Sequence, residues 1–286
     1  VEHIKHDYED WAVLARNNNS LDQIENILTA HDIPYNRISG KSFFELPQVV
    51  MQLNMISCIA YDNRYSAFTT ALGYLKETES NIGEAISMAR QLRSIRAMEE
   101  YVQPHWSLAT KEFIRLCNRQ AGDVTADEQM EAKFSMMENF MHRFKPPKRS
   151  SDPNARSKDF NFFNTLCEIG RKKGGPYIAR LRSLASLLDQ RKEQKALDKS
   201  VVTLSTFHSS KGLEWPRVWM VDVDEETIPS KEGLVDKKLR EEERRLLYVA
   251  MTRAEDELIV TSCKKPSSFL TESFPDAYDE LLMEAG

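Results

Sequence analysis

Apolar and polar positions along this chain follow two different periods. At both ends, short apolar runs alternate with stretches of helical spacing. Trp11 to Arg16 (W-A-V-L-A-R) is an apolar run of strand character. Leu21, Ile24, Ile27 and Leu28 then recur at helical spacing, with Asn19 or Ser20 placed to cap the helix they form. Pro34 ends that pattern, and Tyr35 to Ile38 is a second candidate strand. A helix is expected from about Leu46, with Pro47 in its first turn. Toward the other end, Val201 to Thr206 and Val218 to Val223 are β-rich runs suited to a buried parallel sheet. Lys238 to Thr252 has helical spacing, and Leu258 to Ser262 is a last strand. Such alternation predicts an α/β fold built on a parallel sheet.

The middle follows the helical period alone. From Ala60 to about Lys199, Ala85, Met88, Ala89, Leu92 and Ile95 make one apolar stripe, and Ile178, Leu181, Leu184, Leu187 and Leu188 make another. Lys145 to Asp159, rich in proline, serine and charge, reads as a loop between them. An α/β domain is therefore expected to be split by an all-helical insertion.

Charge follows the same division. The chain carries 39 Lys+Arg and 44 Asp+Glu, but between Ala60 and Lys199 the count is 24 basic against 18 acidic, leaving 15 against 26 in the flanks. Either the middle meets a polyanion more readily than the flanks do, or it presents an ordinary solvated helical surface. No apolar run approaches membrane-spanning length and no charged-then-apolar leader is present, so a cytoplasmic protein without a membrane partner is expected. Cys58, Cys117, Cys167 and Cys263 stand far apart with no Cys-x-x-Cys pair, a spacing that suits neither a zinc site nor a disulfide frame.

Two segments carry chemistry. Thr206 to Trp215 (T-F-H-S-S-K-G-L-E-W) directly follows a predicted strand. Small and glycine residues at a strand end let backbone N–H groups approach phosphate, and a His, a Lys and a Glu add a hydrogen-bonding group, a cation and an acceptor. An ordinary connecting loop with surface charges has the same composition. Glu241 to Ala254 (E-E-E-R-R-L-L-Y-V-A-M-T-R-A) reads as a helix packed through Leu246, Leu247, Val249 and Ala250, its acidic run a charged first turn. Arg253 at its end either projects to stabilise charge on a transferred phosphoryl group or meets the helix dipole.

Taken in that order and at that separation, the two segments resemble motifs V and VI of superfamily 1 DNA helicases of the UvrD/Rep type. Trp11 to Tyr35 followed by G-K-S-F-F-E resembles the segment just after motif IV, so the likeness covers about the first fifty and last ninety residues. The resemblance implies the second RecA-like motor domain, a P-loop NTPase fold without its own P-loop. Residues 1–60 and 198–286 would form this domain, 2A, and 61–197 the helical subdomain 2B inserted in it. It implies that Arg253 is the motif VI arginine that contacts the γ-phosphate across the domain cleft. Glu214, with Gly212 beside it, would meet the nucleotide, the glutamate at the ribose. Thr206, His208 and Lys211 would link the nucleotide site to single-stranded DNA, and Arg16 and Asn18 would lie at a DNA-facing strand end, unless that segment only caps the next helix. The implied cofactor is ATP with Mg2+, bound mainly by an N-terminal RecA-like domain of the same polypeptide. The implied partners are that domain, single-stranded DNA and single/double-strand junctions, in DNA repair or replication.

Some positions depart from the family pattern. Ala15 stands where relatives have tyrosine. The glycine-containing hairpin that grips duplex DNA has no clear copy unless Ser80 to Glu84 (S-N-I-G-E) is a degenerate form. Lys145, Lys148, Arg149 and Arg171 to Lys173 are substitute candidates, or a solvated loop. Two imitations are set aside. Gly40-Lys41-Ser42 ends like a P-loop, but Tyr35 occupies the place of the required first glycine. Val218 to Glu225 imitates a strand ending in a magnesium-binding acid, and against the family it is the strand after motif V. The P-loop, the magnesium acid and motif IV are expected upstream in a longer protein. Two other functions are weighed beside the motor half: a non-catalytic helicase-derived module that binds DNA or protein, and a small NTPase using Lys41 and Asp222.

Overall fold

The computed structural model describes residues 7–144, 155–194 and 201–275, with side chains described for all of these but 155–161 and 189–194. The described chain forms two compact units: residues 7–28, 32–41 and 201–275 in one, residues 29–31, 42–144 and 155–194 in the other.

The first unit is the α/β one. Strands β1 (Trp11–Ala15), β2 (Tyr35–Arg37), β3 (Val202–Thr206), β4 (Trp215–Val221) and β5 (Ala254–Val260) form a single sheet in the order β2-β3-β1-β4-β5. Every pairing is parallel. The two ends of the sequence thus interleave, because β1 from the N-terminal part lies between β3 and β4 from the C-terminal part. All five residues of β1 are buried, which explains why its sequence is continuously apolar. Alternate side chains go to opposite faces. Trp11, Val13 and Ala15 join Leu21 and Leu28 of α1 (Asn18–Ala30). Ala12 and Leu14 join Leu247 and Ala250 of α10 (Lys237–Met251) and Phe269 of α11 (Ser268–Ser273).

The second unit is helical throughout its described residues. Its helices are α2 (Pro47–Ala60), α3 (Tyr65–Tyr74), α4 (Glu79–Leu92), α5 (Leu108–Arg119), α6 (Asp127–Arg143), α7 (Ala155–Lys172) and α8 (Tyr177–Gln194). One apolar core runs through them, with Leu53, Ile56, Phe68, Phe113, Phe134, Tyr177 and Leu181 inside. The expected stripes hold: Ala85, Ala89 and Ile95 are buried, as are Leu181, Leu184 and Leu187.

The structure corrects several boundaries. The helical unit begins at Ser42, not near residue 61, because α2 is apolar almost all round and its side chains enter the helical core. Asn17, not Asn19 or Ser20, caps α1, its Oδ1 accepting the Ser20 N–H at 3.0 Å. Both β4 and β5 start earlier than expected. Residues 145–154 of the expected loop, with Lys145, Lys148 and Arg149, lie outside the described residues, but Ala155 to Asp159 open α7. Ser80 to Glu84 lie inside α4, whose N-cap is Thr78. Arg171 is no free cation, since it is clamped by Glu131 and Glu138. Lys173 is buried, with its ammonium donating to the Thr29 carbonyl at 2.9 Å.

Glu77 joins the starts of two helices in this unit. Its carboxylate accepts from Thr78 N–H at 3.0 Å, Asn81 Nδ2 at 2.8 Å and Ser107 N–H at 2.8 Å. Burial pushes its pKa up, but hydrogen bonds from Thr110, Asn81 and Ser107 outweigh that and bring it from 4.5 to about 2. Because the folded value is the lower one, this stabilisation is present above about 4.5 and is lost as pH falls toward 2. Glu77→Gln should therefore cost on the order of 1 kcal/mol at pH 7, about 2–4 °C in melting temperature. In thermal melts across a pH series, its deficit relative to the parent should close as the pH is lowered through that window.

Candidate functional site

Parallel pairing aligns Ala15 with both Thr206 and Val221, so the C-terminal ends of β1, β3 and β4 share one edge. Crevices at that edge are where open parallel sheets bind ligands. The Thr206 N–H donates to Ser39 Oγ at 2.9 Å and the Phe207 N–H to the Ala15 carbonyl at 2.9 Å, while the Phe207 ring is fully buried. These contacts root the segment after β3 in the sheet.

Past Phe207 the chain makes one helical turn. Ser210 N–H donates to Thr206 O at 3.0 Å, Leu213 N–H to Ser210 O at 3.0 Å, and Ser209 N–H to Thr206 Oγ1 at 3.3 Å. Gly212 then turns the chain at φ +85°. The turn itself takes the N–H groups of Ser209, Ser210 and Leu213. What the segment offers outward is side chains, with His208 and Lys211 exposed and Thr206 half-buried.

Arg16 follows β1 at the same edge. Its Nη2 donates to Glu243 Oε1 at 3.1 Å, and its Nε is buried without a hydrogen-bond partner. His208 shares this neighbourhood. Burial lowers its pKa, the Arg16 charge lowers it further and Glu243 pulls the other way, so the ring is neutral at pH 7. Asn18 is exposed one turn away, its Oδ1 accepting from Arg37 Nη2 at 3.2 Å. The Arg37 guanidinium is buried against Asp22 and, at 2.9 Å, Glu25 of α1, and it fixes the start of that helix, where Asn18 lies.

Glu214 and Arg253 lie at the opposite edge. They precede β4 and β5, and Arg217 of β4 pairs with Trp11 at the start of β1. Arg253 follows the C-cap of α10, and its side chain folds back on its surroundings. Nε donates to Val249 O at 2.9 Å, Nη1 to Leu213 O at 3.1 Å and Nη2 to Thr252 Oγ1 at 3.1 Å. Nη1 is also 3.5 Å from Glu214 Oε1, and the guanidinium is mostly covered, whereas the carboxylate is exposed. The sheet thus sorts the expected residues into two groups. Arg16, Thr206, His208 and, further out, Asn18 stand at one end; Glu214 and Arg253 stand at the other, with Gly212 and the exposed Lys211 on the segment between. That segment and α10 both run from one group to the other.

The two imitations are also placed. Lys41 is exposed beyond β2 and Asp222 follows β4, with β3 and β1 between those strands. Asp224 is buried and accepts from Cys263 N–H at 2.9 Å and Lys264 N–H at 3.1 Å, which makes it a loop anchor. Among the described residues no three His, Cys, Asp or Glu side chains converge as a metal site. Sequence reasoning missed Glu243, taking it for part of an exposed first turn. Its spacing from Leu247 and Ala250, both buried, was the available signal, since those positions share one helix face.

Residues 1–265 match the family model of the UvrD-like helicase C-terminal domain. The chain belongs to that family. It is similar to the ATP-dependent DNA helicase Rep of Escherichia coli (strain K12), 27% identical over 307 aligned residues that cover 94% of this chain and 44% of Rep. It is similar also to the ATP-dependent DNA helicase PcrA of Bacillus subtilis (strain 168), 24% identical over 93% of this chain and 38% of PcrA. With DNA helicase II of Haemophilus influenzae it shares 27% identity over 88% of this chain and 37% of that protein. The chain thus spans less than half the length of these relatives. The parallel five-stranded sheet and helical unit are the form this UvrD-like C-terminal domain takes here.

In this domain the Arg37 cluster should be a stability element. Arg37→Met takes the cation from two carboxylates, that of Glu25 fully buried, and should cost about 3–5 kcal/mol. A urea titration of the variant beside the parent measures it as a lowered midpoint at unchanged slope.

Proposed function

We propose that this chain is the C-terminal motor half of an ATP-dependent DNA helicase or translocase. In this reading it supplies an arginine finger and part of a single-stranded DNA groove to a longer polypeptide whose N-terminal RecA-like domain carries the P-loop. The observation that carries the reading is the two-ended site. Arg253 and Glu214 adjoin at one edge of the sheet, Arg16 and His208 at the other, and one connecting segment and one helix span the distance between them. A motor needs this separation, because hydrolysis at one place must be felt at another.

The nucleotide end offers few groups, and they suit a half-site. ATP, when bound, supplies the phosphoryl group whose transfer drives the cycle, and magnesium with most phosphate contacts would belong to the upstream domain. Glu214 is exposed and free to accept hydrogen bonds from a ribose. Arg253 is held by two backbone carbonyls and a threonine hydroxyl, partners that a guanidinium exchanges readily for phosphate oxygens. An arginine that makes this exchange as charge shifts in the transition state lowers the barrier more than it strengthens ground-state binding. At the other end, Thr206, His208, Lys211, Arg16 and Asn18 would contact the strand, and affinity should fall with salt as counterions are released.

Two outcomes test this. The purified chain should not turn over ATP, and Lys41→Ala should change nothing; steady hydrolysis abolished by Lys41→Ala would identify a self-contained NTPase instead. In the full-length protein, Arg253→Ala should leave ATP binding nearly intact and cut DNA-stimulated turnover about a thousandfold, with Arg253→Lys failing to restore it fully. ATPase rate and melting temperature measured side by side decide the matter. An earlier melt with turnover near the parent rate would make Arg253 a structural helix-end residue.

A further inference from the structure

Glu243 is a buried acid of the α/β unit that the functional reading leaves unused. It lies in the second turn of α10, 3% exposed, on the helix face that also carries Leu247 and Ala250. Its Oε1 takes Arg16 Nη2 at 3.1 Å and its Oε2 takes the Ser230 N–H at 2.7 Å. Ser230 caps the short helix α9 (Lys231–Val235), and the backbone comes close to the carboxylate there. A Cβ on Gly233 would stand 2.4 Å from Glu243 Oε2, so no larger residue fits without displacing the acid.

Stability alone does not account for this arrangement. A buried ion pair contributes little over a well-packed apolar pair of similar size. A carboxylate kept there, with one oxygen given to a loop and the other to one particular arginine, orients that arginine. The helix runs on from Glu243 to Met251, about 12 Å at the helical rise, and Arg253 follows its C-cap.

We propose that Glu243 is the positioning residue that aims Arg16 at the DNA strand and ties it to the helix that leads to Arg253, so that strand contact at one edge of the sheet bears on the arginine at the other. This rests on the motor reading above and deepens it. Arg16 presents a donor face partly to solvent, its side chain 26% exposed, while its anchor is 4% exposed, so a phosphate could engage the arginine without displacing the acid.

The test is a set of variants in the full-length protein, read by ATPase rate against the concentration of single-stranded oligonucleotide, with melting temperature in parallel. Glu243→Gln keeps the acceptor for Ser230 and the side-chain volume but removes the charge that holds Arg16. The DNA concentration for half-maximal stimulation should rise about tenfold, with the KM for ATP within about twofold of the parent. In an Arg16→Met background, Glu243→Gln should add no further rise, because the acid acts on DNA only through that arginine. Should Glu243→Gln fail to fold, Gly233→Ala displaces the same carboxylate while leaving Arg16 and Glu243 intact, and it should raise the half-stimulating concentration in the same direction. A normal half-stimulating concentration in a variant that melts earlier would make Glu243 purely structural and overturn the proposal, as would rises from Glu243→Gln and Arg16→Met that multiply independently. These failures differ from failure of the motor reading, in which the parent itself shows no stimulation by DNA.

Discussion

The constraint on which the α/β unit depends is the burial of β1. All five of its residues are inside, flanked by β3 and β4 and covered by helices on both faces. A strand in that position has every backbone group paired and both rows of side chains in apolar contact, so it cannot be displaced without opening both cores. Because β1 comes from the start of the chain and its neighbours from the end, its insertion also closes the long helical excursion. The edges of the sheet inherit their geometry from this: Arg16 is where it is because β1 ends there, and Thr206 because β3 is in register with it.

From that register comes the separation of chemistry. A parallel sheet has all its strand starts at one edge and all its strand ends at the other. Residues that follow β1 and β3 therefore gather apart from residues that precede β4 and β5. The short crossing from Thr206 to Trp215 has to traverse the sheet, and so does α10 in returning to β5. Each carries a residue of each group: Thr206 and Glu214 on the crossing, Glu243 and Arg253 on or just past the helix. Hydrogen bonds within its own turn, from the N–H groups of Ser209, Ser210 and Leu213, make the crossing a stiff link. Arg253, folded onto Leu213 and Val249, rests against both links at once.

Much of the architecture was legible before any coordinates. W-A-V-L-A announced a strand, Pro47 announced a helix start, and the change of period announced the helical insertion. The two motifs marked the candidate site residues, and their order and separation pointed to the family. Where the sequence misled, a tertiary contact outweighed a local signal. The helix starting at Pro47 looked like part of the α/β unit because it follows β2 closely, yet its all-round apolarity is satisfied only in the helical core. Asn17 caps α1 in place of two equally suitable neighbours because the end of β1 sets where the helix can begin. Glu243 looked like one more charge in an acidic first turn, and the approach of Arg16, 227 positions away, with the N–H of Ser230 makes its burial tolerable.

By itself, then, the sequence determined what is local and periodic: which segments are strands or helices, which faces are apolar, which residues carry the family's motifs. The strands, helices and apolar faces follow from spacing along the chain, where neighbours at a fixed offset meet whatever the rest of the molecule does. Only the tertiary structure decided which of those residues share an edge of the sheet, which carbonyls and carboxylates hold Arg253 and Arg16, and that a buried glutamate stands between a strand end and a helix. Such pairings depend on strand order and register, and these are set by how two distant parts of the chain bury their apolar faces together. No spacing along the sequence encodes that distance.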